Sequence, residues 1–556
     1  MNNLEDVLKR QLNDDKTLTY PDFEQMWKRL GVNDAAGPVQ VDAEGPAATG
    51  YRRKRSWQRV AVLASLSVLL AAAPVYAAIH YNWDGLLSGR SGVQAALAQN
   101  LGQPLEQSLT YDGLTLKLHT AIVDENRTVI LYTLDVGAKD EAALWNVTDM
   151  QLQDQQGKVY DEGFSYLQWD EGNGWYNGYF ESEWTPQQDN VQITLKAAAV
   201  EAFSSHQQAL PLDSGSAAAQ VFRIGDEGMQ SIEVKPFAQN QNKLLLSSAV
   251  TFDQPEAKAW THPEIVAYNG ATKVSGLAGG TFGTPGDNGE YTMQQYFRDS
   301  DIVSGQTTYA LQYTKLEQHV TGPWAFDLQL SKQQMEGGTV KRVLNIPLET
   351  GDTLNTIEEM IITPSQIRLN VRVGGKSFKH DLPYKQYSLL VNGQSLEGHF
   401  WGSSADDRDV MKLKFERPEG LVIDEDTPVT FLGKYKVTIH DEDKEPLLLR
   451  DISSEKQTVM RETGGYPVKW TYYMQGKDLY VETESEDIHF GGVNQTYIGT
   501  GKDRLIGKKV TVNFSGDGNN HSIDVYKDFQ GTEASAYMFY YSTNAPGQET
   551  RVVLQP

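Results

Sequence analysis

The sequence predicts a mainly β protein in which a short α-helical segment and one membrane-crossing helix precede β-sandwich modules in series. Three observations carry that prediction. Apolar residues recur at helical spacing within the first thirty positions, an uncharged run follows from Val60 to Ile79, and from Ser108 onward the apolar pattern changes to period 2. At 556 residues, with Gly 49 and Tyr 27, the chain is long enough for several domains and has a composition that suits strands.

The N-terminal stretch "NNLEDVLKRQL" places Leu4, Val7, Leu8 and Leu12 on one helical stripe, with Asn3 as a candidate cap. "TYPDFEQMWKRLG" repeats the pattern with Phe23, Met26, Trp27 and Leu30. Pro21 stands in its first turn, Lys28 and Arg29 in its last, and Gly31 just beyond. Two such short helices are unstable alone in water and offer too little apolar surface for a core of their own. Residues 1–50 carry 5 basic and 9 acidic groups, so an anionic lipid surface would repel them. Docking on a protein partner fits best, with Phe23 and Trp27 as aromatic anchors. The linker from Val32 to Gly50 reaches on the order of 25 Å, which holds that partner near the membrane.

Val60–Ile79 matches the roughly 30 Å of a bilayer core at 1.5 Å per residue, and it is longer than the apolar core of a signal peptide. Arg52, Arg53, Lys54, Arg55 and Arg59 flank it on the N-terminal side, whereas residues 80–99 contain only Arg90. This asymmetry puts the N-terminus in the cytoplasm and the remainder outside. Trp57, Tyr76, Tyr81 and Trp83 suit the interfacial belts. The end of the run, "AAAPVYAA", is weak as a helix because Pro74 removes a backbone donor. Val75, Tyr76 and Ala77 there have the small-x-small shape that leader peptidases accept, which makes them a candidate cleavage region.

Beyond the run, "DGLTLKLHTAIVDENRTVILYTLDVG" reads as a hairpin. Leu114, Leu116, Leu118 and Ile122 are expected on one face of its first strand, and Ile130, Tyr132, Leu134 and Val136 on one face of its second. Similar short strands recur to the C-terminus without a long helical pattern between them. The expected organisation is a cytoplasmic helical segment over 1–50 and a basic flank with the membrane helix over 51–81. β domains over 100–210, 211–350, 351–446 and 447–556 follow.

Composition and motif content narrow the chemistry. There is no cysteine, which removes disulfides, thiolate metal sites, a cysteine nucleophile and a lipoprotein anchor. The ten histidines never fall at metal-ligand spacing, and no HExxH, G-x-S-x-G, Walker or dinucleotide signature occurs. Ser453 and Lys456 make a lone S-x-x-K match without companion motifs. The Asp-rich turns "SADDRD", "IDEDTP" and "SGDGNN" lack the ligand order of a calcium loop. Neither an enzyme nor a cofactor or resident metal is expected. The net charge of −24 divides into +1 over residues 1–59 and −25 over the remainder, so direct nucleic-acid binding by the large part is not expected. One segment, "WDEGNGWYNGYFESEW", concentrates Trp169, Trp175, Tyr176, Tyr179 and Trp184. Those aromatics are candidates for stacking on an extracellular ligand, or else they alternate between core and surface of a hairpin.

"YNWDGLL", followed by "LGQPLEQSLTYDGLTLKLHTAIVDENRTVILYTLDVG" behind a single anchor, resembles the domain-of-unknown-function 4179 family of Gram-positive bacteria. "GPWAFDLQLSK" and "ITPSQIRLNVRV" look like the immunoglobulin-like modules that follow it in such proteins. The resemblance implies a membrane-anchored anti-sigma factor paired with an extracytoplasmic-function sigma factor. Zinc-binding anti-sigma domains carry an H-x-x-x-C-x-x-C motif, and this chain has no cysteine and no histidine before His80. A sigma factor would therefore be held by apolar helix faces alone, with Phe23, Met26, Trp27 and Leu30 first and Leu4, Val7 and Leu8 second. The competing expectation is a tethered cell-surface protein whose aromatic segment binds envelope polysaccharide or peptide.

Overall fold

The computed structural model describes residues 83–556, apart from 138–142, 161–162, 217, 240–241, 287, 350–354, 375–381, 404–408, 425, 442–444, 502–503 and 512–519. The expected cytoplasmic helices, the Val60–Ile79 run and the Val75–Ala77 region lie outside the described residues. Among the described residues, no helix is long and apolar enough to cross a membrane. What is described is mainly β.

Helix α1 (Ser91–Ala98) precedes β1 (Gln103–Tyr111), β2 (Leu114–Val123) and β3 (Thr128–Asp135). β2 and β3 form the expected hairpin, closed by Val123 opposite Thr128 around residues 124–127. A register shift between Leu118 and Thr120 changes which side of the strand faces in. Leu114, Leu116 and Leu118 therefore enter the sandwich core with Ile130, Tyr132 and Leu134, whereas Ile122 turns to the opposite face. That corrects the single-face expectation for β2, because a bulge breaks period 2 without leaving a pattern that alternation detects.

The chain continues through β4 (Ala143–Thr148), β5 (Gln151–Asp154), β6 (Val159–Tyr160), β7 (Gly163–Asp170), β8 (Trp175–Ser182) and β9 (Val191–Lys196). One sheet runs β1-β2-β3-β8-β7; the facing sheet runs β6-β5-β9 and is completed by β19 (Ala325–Leu330). β19 supplies Phe326, Leu328 and Leu330 to the core between the sheets, and Trp324 just before it joins them.

Between β9 and β19 lies a second sandwich. β10 (Ala199–Leu210) leads out to it, and β18 (Thr307–Val320) returns alongside in antiparallel register. Between them come β11 (Gln220–Asp226), β12 (Met229–Gln239), β13 (Lys243–Phe252), β14 (Glu264–Asn269), β15 (Thr272–Val274), β16 (Gly276–Pro285) and β17 (Tyr291–Arg298). The sheets run β11-β12-β13-β17-β16 and β15-β14-β18-β10, the latter extended by β4, and enclose a separate core that includes Leu246, Ile265, Met293 and Leu311.

The second half repeats this plan. β20 (Val340–Pro347), β21 (Asn355–Ile362), β22 (Gln366–Val373), β23 (Tyr384–Val391), β24 (Gln394–Ser403) and β25 (Val410–Glu416) lead to β26 (Val429–Asp441). The sheet runs β20-β21-β22-β25-β24-β23-β26 and is extended by the C-terminal β37 (Tyr540–Gln555). β24 serves both layers, pairing β23 through Gln394–Glu397 and β25 from Gly398 onward. Between β26 and β37 lies a fourth sandwich. Its strands are β27 (Leu447–Leu449), β28 (Gln457–Thr463), β29 (Tyr466–Gln475), β30 (Asp478–Ser485) and β31 (Phe490–Val493). They continue with β32 (Thr496–Ile498), β33 (Leu505–Ile506), β34 (Lys508–Thr511), β35 (Asn520–Tyr526) and β36 (Ala534–Met538). Its sheets run β28-β29-β30-β35-β34 and β33-β32-β36-β27, the strand order of the second sandwich, while β31 pairs with β37 as the last strand of the long sheet.

The four sandwiches share one pattern of strand neighbours, but the strand that flanks β9 and β26 comes last in its host (β19, β37), whereas the strand that flanks β18 and β36 comes first in its insert (β10, β27). In the first half the inserted sandwich sits between β9 and β19 and in the second between β26 and β37, so residues 103–330 and 340–555 are two copies of one nested unit. This arrangement departs from the serial order expected of the sequence. A boundary at 210 falls at the end of β10 and separates β1–β9 from β19, which closes their sandwich.

Candidate functional site

The aromatic segment singled out from the sequence forms the β7–β8 hairpin, with Asp170 opposite Trp175. Asp170 organises the turn: its carboxylate accepts from the backbone N–H groups of Gly172 and Asn173 and from the side chains of Asn173 and Asn177. Those bonds hold its pKa below the ordinary value even though burial pushes the other way. Tyr176 is buried in the sandwich core, where it meets Trp169 edge to face at 4.9 Å between ring centres, and Trp184 packs against the same core. Tyr179 points to the opposite side and packs with Leu87, Val93 and Leu131. Trp175 is half-buried, and its ring N–H donates to Asn177 Oδ1 at 3.1 Å. Trp169, Tyr176 and Trp184 pack on one face of the sheet and Tyr179 on the other, so the five aromatics do not form a common stacking platform.

The densest cluster of buried charge lies elsewhere, where the two repeats meet. Its centre is the "DENR" turn between β2 and β3. Asp124 shapes the turn by accepting from the backbone N–H groups of Asn126 and Arg127 at 2.7 and 3.1 Å. Arg127 is fully buried, and all three guanidinium nitrogens are engaged. Nη1 donates to Glu181 at 3.1 Å and Glu416 at 2.6 Å, Nη2 to Glu416 at 2.9 Å and the Ser365 carbonyl at 3.1 Å, and Nε to Ser365 Oγ at 3.1 Å. Ser365 Oγ in turn donates to Asp124 at 2.5 Å. Asn126 donates to the carbonyls of Ile361 and Gln366.

Residues 363–366 are the turn between β21 and β22, closed by Ile362 opposite Ile367, so the two turns that meet are equivalent in the two repeats. Glu183 follows Ser182, the partner of Thr128; Glu416 follows Phe415, the partner of Ile367. The two glutamates are therefore also equivalent, and each pairs with cations of the other repeat. Glu183 meets Lys412 at 2.5 Å and Lys414 at 2.9 Å, while Glu416 meets Arg127. Glu125 adds ion pairs to Lys332 and Lys341 at 2.7 and 2.5 Å.

The electrostatics follow from this dry, paired setting. Burial alone would raise the Glu181 carboxyl, but Arg127, Arg90 and Lys414 overcome it and hold the pKa down at about 2. Burial opposes charge on Arg127 too, and Glu416 and Glu181 more than reverse it. For Lys414 burial wins, drawing it below the ordinary lysine value against the pull of Glu183 and Glu181. Such a network costs desolvation to build and is strongly destabilised when one member is removed. It bridges the two repeats through Arg127 with Glu416 and through Glu183 with Lys412 and Lys414.

The segment leading into α1 also touches this joint. Arg90 Nε donates to Glu181 at 2.6 Å, and the Gly92 backbone N–H donates to Glu416 at 3.1 Å. The inserted sandwiches meet separately, through Phe237, Leu245 and Tyr296 of one and Tyr473, Tyr480, Ile523 and Val525 of the other. There the Lys235 ammonium sits 4.0 Å from the Tyr480 ring centre, and burial draws its pKa down to about 8. Among the described residues, no group of three His, Asp or Glu side chains could hold a metal ion.

Arg127, Glu181, Glu183, Ser365 and Glu416 were not among the residues the sequence singled out. A charged four-residue turn reads as solvated. The available signal was in the flanking strands: "TVILYTL" and "WYNGYFES" carry large side chains in both registers, which marks strands covered on both faces.

No curated protein matches the chain. One solved structure that it resembles is the crystal structure of the conserved domain protein from Bacillus anthracis. The two are 11% identical, with 57% of this chain and 90% of that chain covered and a TM-score of 0.15, a superposition too loose to add to the fold. The family model described as "Domain of unknown function (DUF4179)" matches residues 52–135, from the basic flank through the uncharged run to the end of β3 with its DENR turn.

Proposed function

We propose that the chain is a single-pass membrane anti-sigma factor, without enzymatic activity, whose N-terminal cytoplasmic helices sequester an extracytoplasmic-function sigma factor. The nested β region would lie outside the membrane as a sensing or shielding part, with release by proteolysis near Val75–Ala77. The observation that carries the reading is the charge asymmetry about Val60–Ile79, with five basic residues over 52–59 against Arg90 alone over 80–99. By the positive-inside rule, two amphipathic stripes with no core of their own would lie on the cytoplasmic side. The family match supports it by spanning that run and the first strands as one block. The competing reading, a tethered polysaccharide- or peptide-binding protein, has less support, because Tyr176 and Tyr179 are committed to packing on opposite faces of β8.

A Phe23→Asp, Trp27→Asp double variant, expressed at wild-type level in the membrane, is expected to derepress the genes of the cognate sigma factor. Transcription unchanged in that variant would remove the docking role. Membrane fractionation of the full chain, with protease protection of residues 1–50 in sealed inside-in vesicles, tests the topology.

A further inference from the structure

The segment Trp83–Leu97 is built as a strap. Trp83, Leu86, Leu87, Val93 and Leu97 are buried against Ile122, Val129, Leu131 and Tyr179, on the face of the first sheet that lies away from the sandwich core. Met335, on the helical turn Gln333–Glu336 that connects the repeats, completes the same cluster. Two polar contacts of the strap go to the two glutamates that hold Arg127: Arg90 to Glu181 of the first repeat and Gly92 N–H to Glu416 of the second. At Gly92 the approach is so close that an added Cβ would stand 1.6 Å from the Ser365 carbonyl oxygen. The strap therefore touches both repeats at their meeting point and shares its anion partners with the joint.

We propose that docking of the strap and closure of the joint are energetically linked, each stabilising the other, so that parting of the repeats loosens the strap. This rests on the reading of Val60–Ile79 as an anchor for its meaning, though not for its test. The strap is the first described chain after that run. Freed and extended, residues 83–101 would add on the order of 60 Å of tether at about 3.3 Å per residue. An event at the joint would thereby become accessible backbone at the membrane face.

The linkage is reciprocal. Hydrogen exchange on the full chain in detergent tests it from both ends. Asn126→Ala and Glu183→Gln weaken the joint without touching the strap. They are expected to speed exchange of the Gln94 and Leu101 amides, which donate to Arg90 and Ala96, by about tenfold. Gly92→Val displaces the strap and is expected to speed exchange at the Thr363 amide, which closes the second turn on Gln366. Amides of β13 in the inserted sandwich serve as the control and should not change. Acceleration confined to the mutated site overturns the proposal, and so does equal acceleration in β13, which would report global opening. If coupling is found but the chain does not fractionate with membranes, the linkage stands and the anchored reading fails.

Discussion

Arg127 and Glu181 show how single residues decide the joint. Replacing Arg127 with Met leaves Glu181 and Glu416 facing each other without their shared cation, and a loss of about 3–5 kcal/mol is expected in urea unfolding. Acid should act on the same contact. Glu181 has its folded pKa lowered from 4.5 to about 2, so its contribution is complete above pH 4.5 and fades as pH falls toward 2. Stability followed across that window should fall more steeply in the wild type than in Glu181→Gln, which is weaker at neutral pH. Asp524 has the opposite sign. It is buried against Thr496, which donates to it through both backbone N–H and hydroxyl, yet burial outweighs those bonds and raises it to about 6. A carboxyl with a raised folded pKa costs stability as pH rises through the window from 3.8 to about 6. Asp524→Asn is expected to stabilise the fourth sandwich at pH 7 by roughly 2 kcal/mol and to flatten its pH dependence in that window, as thermal scans would show.

At the scale of the element, β8 is the instructive strand. It is central in its sheet, with β3 and β7 as neighbours, and is covered on both faces. Gly178 is required there, because a Cβ would come within 2.6 Å of the Tyr132 ring and 2.7 Å of Leu167. Gly178→Val is expected to lower the melting temperature through overpacking of about 1–3 kcal/mol or more, whereas Trp175→Ala, at the half-buried start of the strand, should cost less. Both elements of the hairpin with the DENR turn were legible in the sequence, turn length included. The bulge after Leu118 was not, since one inserted residue reverses the faces beyond it while leaving the composition unchanged. The aromatic segment was legible as a concentration of rings, but the division of those rings between two cores follows from what covers each face, and that cover comes from distant chain.

The described residues form two nested units joined at equivalent turns, and truncations should reveal the nesting. A fragment of residues 100–210 lacks β19 and with it Trp324, Phe326, Leu328 and Leu330 of its own core, so it is expected to show no cooperative unfolding. Residues 83–338, which contain the complete first unit, should unfold cooperatively. Because Ser205 lies opposite Thr314 in the β10–β18 ladder, replacing 206–313 with an Asn-Gly turn should close a hairpin and leave the first sandwich folded. Near-UV circular dichroism and denaturant melts of the three proteins check this. Loss of the first sandwich on excision would show that the nested pair folds only as one body.

The sequence by itself determined the strand-rich class, the hairpin of residues 114–136, the uncharged run with its basic flank and the lack of thiol chemistry, because each depends on neighbours along the chain. Tertiary structure alone decided that β19 and β37 complete sandwiches begun long before them, that four sandwiches share one pattern of strand neighbours, and that a charged turn is the buried joint of two repeats. Those features pair residues more than a hundred positions apart, as in Arg127 with Glu416, and neither period 2 nor local charge carries information over such a distance. Burial converts the DENR turn from a solvated loop into the joint, and burial depends on the chain that comes to cover it.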